Sequence, residues 1–368
     1  MQEPSKGQDR MFLFDSHCDT PTQLLRSRNL SADNRYGHVD IPKMRRGNVG
    51  ASFFALYTPA ALDTEEAYRL ACAMIDATSS SVGENKADLA FATTAEQVHE
   101  NSSKGLISIL FGMENGSPAG ESLETLEEFY DKGIRYVTLT HNGDNSIADS
   151  AAEGTRWGGL SPFGRDFVRK MNSLGMMVDL SHSSDATFYD CLDYSEYPIM
   201  ASHSSCRSLC PHRRNLTDEM LRLIGECGGY VGINFYPAFL SDKFGSSRSD
   251  AAILDMANKA EAAFAEDPSD AVRKQVFEHA CDRLLEIWRP GVQTVADHIE
   301  KALSLAGEDH VGIGTDFDGI CVGPIGLEDI SMMSALENEL VSRGWPNGLI
   351  EKVFGTNLMA YFSKVCTK

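Results

Sequence analysis

Eight short apolar runs recur along the sequence, and longer stretches with the apolar spacing of amphipathic helices separate them. The runs are residues 11–15, 49–56, 106–113, 134–139, 176–180, 198–201, 230–235 and 311–314. Strands that alternate with helices pair in parallel through crossover helices. Eight such runs favour an α/β fold of the (β/α)8 type, a TIM-like barrel. The alternative is an open doubly wound sheet, but no glycine-rich phosphate loop of the kind found in such sheets follows any run.

One stretch does not fit a plain strand–helix unit. Residues 241–306, between the seventh and eighth runs, are charged and mostly helical in pattern. The sequence Arg289-Pro290-Gly291 interrupts this pattern before a last helix. We interpret residues 241–306 as a helical insertion packed beside the mouth of the barrel. The whole chain, residues 1–368, is therefore expected to form a single barrel domain that includes this insertion, which is within the length of one large domain.

Charge and hydropathy exclude several classes of function. The formal net charge is −20, which argues against a nucleic-acid partner because binding to phosphates needs clustered Lys and Arg. No apolar run is long enough to span a membrane. Residues 1–10 lack the apolar core of a secretion signal, and residues 363–368 are not a hydrophobic anchor tail. We therefore expect no membrane anchor in this chain.

The cysteines bear on the cellular compartment. There are nine of them, scattered along the chain and without a CxxC pair. An odd and dispersed set fits reduced thiols better than a disulfide framework. We therefore expect a cytoplasmic protein; the alternative is a secreted protein whose signal peptide has been removed.

Histidines and carboxylates follow six of the eight runs. They are His17 and Asp19 after the first run, Glu114 after the third, His141 after the fourth, His182 after the fifth, His203 after the sixth and Asp316 after the eighth. Because the carboxyl ends of barrel strands meet at one mouth, we expect these side chains to lie together. Taken singly, each His is better explained as a capped or hydrogen-bonded loop residue than as a metal ligand. Taken together, the set suffices for two metal ions that share a bridging carboxylate. Imidazole and carboxylate ligands suit zinc, and manganese, cobalt or iron fit the same set.

Several segments carry a resemblance to a known family. They are FDSHCDTP, the Glu114 loop, LTHNGDN, SPFGRDFVRKMNSLGMMVDLSH, SHSSCRSLCPHRRNLTDEM, GINFY, GTDFDG, GLEDIS and FGTNL, in this order, within a similar region that extends from residue 12 to about residue 362. On these segments the chain resembles the membrane dipeptidase (renal dipeptidase) family, peptidase family M19, within the amidohydrolase superfamily. The similarity covers nearly the whole chain.

The resemblance implies a set of metal ligands. His17 and Asp19 would bind one zinc ion, and Glu114 would bridge it to a second zinc ion held by His182 and His203. The implied cofactor is thus two Zn²⁺, or two other divalent ions, per chain.

The resemblance also implies roles for residues that face the substrate. His141 would bind the carbonyl oxygen of the substrate and the oxyanion formed from it, and Tyr236 would line the pocket. Arg214, rather than the neighbouring Arg213, would bind the terminal carboxylate. Asp316 would handle protons; we prefer it to Asp318, because Asp318-Gly319 is typical of a turn.

Two features depart from the family pattern. The sequence GMENG places Asn115 where many members have glycine, so a side chain is expected to intrude beside Glu114. The insertion at residues 241–306 is expected to reshape the lid of the pocket. Both bear on the range of substrates more than on the chemistry.

The predicted function is that of a zinc-dependent dipeptidase, which hydrolyses the peptide bond of small dipeptides through a hydroxide shared by the two ions. Two alternatives stay open. One is another amidohydrolase activity, on a lactone, a cyclic amide or a phosphoester, which would not need Arg214. The other is a non-catalytic barrel that binds a metal or a small ligand. The resemblance further implies a homodimer.

Overall fold

The computed structural model of the chain describes residues 12–367. Residues 1–11, which include the segment predicted to lack a secretion signal and the first residue of the first apolar run, lie outside the described residues, as does Lys368. Within the described range, no helix combines the length and the apolarity that a membrane crossing requires.

Parallel strands build the centre of the molecule. The strands are β1 (Leu13–Cys18), β2 (Val49–Tyr57), β3 (Leu89–Phe91), β4 (Ile107–Glu114), β5 (Ile134–Thr138), β6 (Met177–Asp179), β7 (Met200–Ala201), β8 (Tyr230–Ile233) and β9 (Val311–Ile313). Their order is β1-β2-β4-β5-β6-β7-β8-β9, all pairs are parallel, and β3 lies off this path against β4. Each of the eight predicted runs overlaps one strand of this path.

The sheet closes on itself where β9 ends beside β1. The amide of Asp316 donates to the carbonyl of His17 at 3.0 Å, and the amide of Asp19 donates to the carbonyl of Phe317 at 2.8 Å. These two bonds join the chain after β9 to the end of β1. The predicted TIM-like α/β barrel is therefore confirmed.

Helices surround the barrel. They are α1 (Thr20–Leu25), α2 (Ile41–Arg46), α3 (Thr64–Glu84), α4 (Ala95–Ser103), α5 (Leu123–Asp131), α6 (Pro162–Leu174), α7 (Asp185–Tyr194), α8 (Asp218–Cys227), α9 (Pro237–Leu240), α10 (Arg248–Glu266), α11 (Ala271–Leu284), α12 (Val292–Ala306), α13 (Met333–Ser342), α14 (Asn347–Glu351) and α15 (Asn357–Val365), with 3₁₀ turns at Ser117–Ala119 and Ile330–Met332 and a π-helical turn at Lys352–Thr356. Helix α6 illustrates how the sequence sets the ends: Ser161 caps its first turn, Pro162 begins it, and Gly175 ends it in a left-handed conformation.

Alternation along the strands divides the core into two layers. In β1, Leu13 packs outward against the helices, whereas Phe14 points into the barrel. Inside, Phe14 stacks on Phe53 at 5.6 Å between ring centroids, and Phe362 of α15 meets both rings edge-on. Helix α15 thus closes the bottom of the barrel with apolar side chains. Polar side chains are left to line the opposite end, where the strands finish.

The predicted insertion lies between β8 and β9 and contains two different parts. Helix α12 packs against α8 and β9 on the outside of the barrel, in the place of a crossover helix. Helices α10 and α11 pack on each other, with the rings of Phe264 and Phe277 stacked at 5.1 Å. Helix α10 also reaches the mouth, where Glu261 forms an ion pair with Arg26 of the segment after α1 at 2.7 Å.

Candidate active site

The predicted site residues lie at the carboxyl ends of six barrel strands. His17 is inside β1, because this strand continues to Cys18, three residues beyond the predicted run at 11–15, so the prediction that His17 follows the strand was wrong. Asp19 comes directly after β1, and Glu114 is the last residue of β4. His141, His182, His203 and Asp316 each follow a strand by two or three residues. The structure brings all seven residues to one mouth of the barrel.

Two of these residues adopt a backbone conformation that is unusual for side chains with a Cβ. His182 has φ +67° and Asp316 has φ +60°, both in the left-handed region. Such positions cost roughly 1–3 kcal/mol and persist only where the surrounding structure holds them. Here they turn the chain sharply after β6 and β9, which keeps both side chains at the mouth.

One oxygen of Glu114 faces a group of imidazole nitrogens. Its Oε1 lies 3.1 Å from His182 Nε2, 3.6 Å from His203 Nε2 and 3.8 Å from His141 Nε2. The Nε2 atoms of His182 and His203 are 3.0 Å apart. Three imidazole nitrogens, each from the loop after a different strand, therefore surround the same carboxylate oxygen.

The other oxygen of Glu114 faces the end of β1. Its Oε2 lies 3.7 Å from His17 Nε2, and that nitrogen lies 3.5 Å from Asp19 Oδ2. His17 Nε2 and Asp19 Oδ1 are both buried, and neither has a hydrogen-bond partner among residues 12–367. Buried polar atoms are rarely left unpaired in this way unless an ion or ligand satisfies them.

The spacing of these atoms fits divalent metal ions. Two ligands of a tetrahedral zinc ion, each bonded at 2.0–2.1 Å, lie about 3.3 Å apart. The separations around Glu114, from 3.0 to 3.7 Å for the ligand pairs named above, lie close to that value. Glu114 is the one residue that contributes an oxygen to each group, as a bridging carboxylate would.

The pKa shifts of the buried carboxylates and histidines also favour the binding of cations in the site. Burial raises the pKa of Asp19, and the nearby Glu114 charge raises it further. Burial alone would lower the pKa of His17, but the charges of Glu114 and Asp19 more than offset this and raise it well above its ordinary value. Burial is the main reason that the pKa values of His182 and His203 lie well below the ordinary value, so both rings are neutral and able to bind a metal.

His141 and Asp316 flank the ligand groups. The His141 ring packs on His182 at 4.2 Å and on Tyr57 at 4.7 Å between centroids, and it lines the open cleft. One carboxylate oxygen of Asp316 accepts a hydrogen bond from Asn234 Nδ2 at 2.9 Å, and burial is the largest cause of its raised pKa. The sequence reasoning missed Asn234, although it follows β8 as the other site residues follow their strands. A search for His, Asp and Glu alone could not find it.

Arg214 and Arg213 have different surroundings. Arg214 is buried beside the site, where Nη1 donates to Ser204 Oγ at 3.3 Å and Nη2 to the His203 carbonyl at 3.1 Å. Its Nε is buried without a partner, and its guanidinium lies over the ring of Phe239, which lines the cleft. Burial lowers the pKa of Arg214 to about 10. Arg213 instead donates to the carbonyl of Ala152 in a more exposed position.

Asp318 is bound into the structure away from the ligand groups. Its carboxylate accepts hydrogen bonds from Thr20 Oγ1 at 2.9 Å, Arg28 Nη1 at 2.6 Å and the His38 amide at 2.8 Å. Both oxygens are therefore engaged, whereas Asp316 keeps an oxygen that Asn234 does not bind. This favours Asp316 for a proton-handling role.

Asn115 does not intrude into the site. Its side chain is buried and donates to the Thr58 carbonyl at 2.9 Å, and its Oδ1 accepts from Ser117 and Asn145. The expectation from GMENG was wrong because φ of Asn115 is +78°, which turns the side chain into the loops behind Glu114. The other residue expected to shape the pocket, Tyr236, does line the cleft, together with Asn258 and Glu261 of α10.

Comparison with known proteins finds similarity to dipeptidases in sequence and in structure. A family model described as membrane dipeptidase (peptidase family M19) matches residues 1–367. The chain is 34% identical to dipeptidase aclJ of Aspergillus oryzae over 342 residues, which are 90% of this chain and 71% of that protein. The crystal structure of the probable dipeptidase PvdM from Pseudomonas aeruginosa superposes with a TM-score of 0.82 at 25% identity, covering 98% of this chain and 96% of that one. A Rhodobacter sphaeroides metallopeptidase, solved with a phosphinate mimic of the dipeptide L-Ala-D-Ala, gives a TM-score of 0.80 at 25% identity, over 97% of this chain and all of that chain.

Proposed function

The chain belongs to the membrane dipeptidase family, peptidase family M19, and we propose that it hydrolyses the peptide bond of dipeptides at a centre of two divalent ions, with zinc as the metal. His17 and Asp19 would hold one ion, His182 and His203 the other, and Glu114 both. The observation that carries the proposal is that the two carboxylate oxygens of Glu114 face different histidines. Oε2 faces His17, whereas Oε1 faces His182 and His203.

Divalent ions bound there would supply an activated water near neutral pH and would polarise the carbonyl group. The residues of the chain would do the rest. His141, beside Glu114 and open to the cleft, would donate to the carbonyl oxygen and stabilise the negative charge that develops on it, a contact typically worth roughly 3–4 kcal/mol. Asp316 would accept the proton of the attacking water and pass it to the leaving nitrogen. The hydrogen bond from Asn234 would fix the carboxylate in the orientation that this transfer needs.

Charge and size favour a short substrate with a free carboxylate. The cleft has a volume of about 340 Å³, which suits a small molecule and not a folded chain. Two divalent cations would exceed the negative charge of Asp19, Glu114 and Asp316, and Arg214 adds a further cation with unpaired donors. An Arg–carboxylate pair would select the free end of a dipeptide. Phe239, over whose ring the Arg214 guanidinium lies, and Tyr236 both line the cleft.

Metal analysis and activity on one sample test the proposal. We expect about two zinc ions per chain and dipeptide hydrolysis that a chelator abolishes and zinc restores. Glu114→Gln offers only one ligand oxygen and should hold fewer ions than the wild type. Glu261→Gln, at the rim of the same cleft, is the matched control and should keep the full metal content. A chain that binds no metal even when zinc is supplied, or a Glu114→Gln variant with full metal content and activity, would refute the proposal.

A further inference from the structure

The Nδ1 atoms of the three histidines proposed as metal ligands, His17, His182 and His203, all have hydrogen-bond partners. His17 Nδ1 lies 2.8 Å from Tyr136 Oη, His182 Nδ1 lies 3.3 Å from Asn142 Oδ1, and His203 Nδ1 lies 2.8 Å from Ser202 Oγ. A neutral imidazole carries one N–H proton. If a partner accepts a hydrogen bond from Nδ1–H, the proton is on Nδ1, and the lone pair of Nε2 is free to bind a metal. An amide oxygen such as Asn142 Oδ1 can only accept. A serine hydroxyl can donate or accept, so at His203 something else must fix the direction of the bond.

Asp179 fixes that direction. The Ser202 hydroxyl lies 2.6 Å from Asp179 Oδ2, and Asp179 is completely buried. In the sequence, Asp179 precedes His182 by three residues. Four donors surround its carboxylate: the amides of Ser181 and Ser202 at Oδ1, and the hydroxyls of Thr138 and Ser202 at Oδ2.

The single hydroxyl proton of Ser202 decides the tautomer of His203. A carboxylate only accepts, so this proton points to Asp179 Oδ2. The Ser202 oxygen is then left to accept, and the proton in its bond to His203 belongs to Nδ1. His203 Nε2 consequently presents a lone pair towards Glu114 and His182.

From this geometry we propose that Asp179 and Ser202 are positioning residues, which hold His203 as the Nδ1–H tautomer and orient its ring for metal binding. The inference rests on the proposed function only in taking a metal as the partner of Nε2. Hydrogen-bonded partners of this kind typically change metal affinity 10- to 100-fold when they are removed.

Asp179→Asn is a sharp test because the direction of its bonds can be worked out. The two backbone amides at Oδ1 require an acceptor, so the asparagine carbonyl must stay there and its NH₂ group must take the place of Oδ2. That group donates to Ser202 Oγ. The Ser202 proton then turns to His203 Nδ1 at 2.8 Å, which is nearer than the other acceptor within reach, Ser181 Oγ at 3.4 Å. His203 is driven to the Nε2–H tautomer, which has no lone pair for a metal.

The experiment combines two measurements on the full-length chain. Long-range ¹H–¹⁵N NMR of histidine-labelled protein, with the His203 signals identified by a His203 variant, reads the tautomer before zinc is added. Competition with a chelator then measures the zinc affinity of the same samples. We expect Nδ1–H in the wild type, Nε2–H in Asp179→Asn, and a 10- to 100-fold weaker affinity for one zinc ion in that variant.

Two further variants separate positioning from general damage. Ser202→Ala removes the acceptor but leaves Asp179 in place, and should weaken one zinc ion about 10-fold. Thr138→Val removes a different hydrogen bond to the same Asp179 oxygen and should change neither the tautomer nor the zinc affinity. An Nε2–H tautomer in the wild type, an unchanged tautomer in Asp179→Asn, or an equal loss of zinc in Thr138→Val would overturn the inference. If the wild type binds no zinc, the proposed function fails, while the tautomer still decides this inference.

Discussion

Replacement of Arg214 by methionine should remove the preference of the enzyme for substrates with a free carboxylate. The guanidinium is buried, and within the part of the chain that the structure describes Nη1 and Nη2 bind a serine hydroxyl and a backbone carbonyl while Nε has no partner. Such a group is a cation that the protein compensates poorly. A substrate carboxylate at this position would supply the missing charge.

The pKa of Arg214 gives the magnitude. Burial lowers it from 12.5 to about 10, which means that the surroundings disfavour the charged form by about 3 kcal/mol. If the substrate carboxylate recovers this free energy, Arg214→Met should lose roughly 100- to 200-fold in kcat/KM on a dipeptide. Because methionine fills similar space without a charge to bury, the variant should be at least as stable as the wild type to thermal unfolding.

The assay compares a dipeptide with the corresponding dipeptide amide. The wild type should prefer the free acid by a similar factor, and Arg214→Met should treat the two substrates alike, since an amide carries no charge for Arg214 to bind. Arg213→Met is the matched control and should keep the wild-type preference, because Arg213 is bound to the Ala152 carbonyl. An acid-to-amide ratio that survives in Arg214→Met would show that the reasoning about the buried cation is wrong.

Three other predictions concern Asp316, the proposed zinc ions and Asp318. Asp316→Asn should lower kcat by roughly 10²- to 10⁴-fold with little change in KM, measured by steady-state kinetics, since it removes a proton acceptor. Removal of zinc with a chelator should lower the thermal unfolding temperature; zinc at 100 times its Kd contributes about 2.7 kcal/mol. Burial would raise the pKa of Asp318, but Arg28 and His38 outweigh it and hold the pKa well below 3.8. Its contribution is therefore present above about pH 4 and is lost as the pH falls further, so Asp318→Asn should cost about 3–5 kcal/mol in denaturant titrations at pH 7 and less in acid.

The eight barrel strands could be predicted because each is a compact apolar run. Strand β3 was not predicted, since its apolar run is short: Leu89–Phe91 has three residues, lies off the barrel path against β4, and ends in the partly exposed Phe91. The extent of β1 was also missed: Ser16 and His17 look like loop residues, yet both are buried within the strand. The Ser16 hydroxyl donates to the Ile313 carbonyl at 2.9 Å, so a neighbouring strand end satisfies it.

The metal-ligand candidates could be found from the sequence because their residue types are few and each follows a strand. The residues that support them could not. Ser202 and Asn234 are common residue types, and their partners, Asp179 and Asp316, lie 23 and 82 positions away. Asn115 shows the opposite error, because its type was noticed but the backbone angle that directs it away from the site is not visible in a sequence.

The features that lower the stability of the protein at this mouth of the barrel also indicate what would bind there. His182 and Asp316 hold left-handed backbone conformations, each of which costs stability in a protein that gains nothing from it. His17 Nε2 and Asp19 Oδ1 are buried without partners beside Glu114, and cations would relieve them. Among the described residues, Arg214 Nε has no partner although it is buried, close to the His203 carbonyl that Nη2 binds, and a carboxylate oxygen would both satisfy this donor and balance its charge. A molecule that brings a carboxylate to Arg214 while its peptide carbonyl reaches the metal ions proposed at Glu114 would satisfy both demands at once, and a dipeptide is the shortest peptide that would do so.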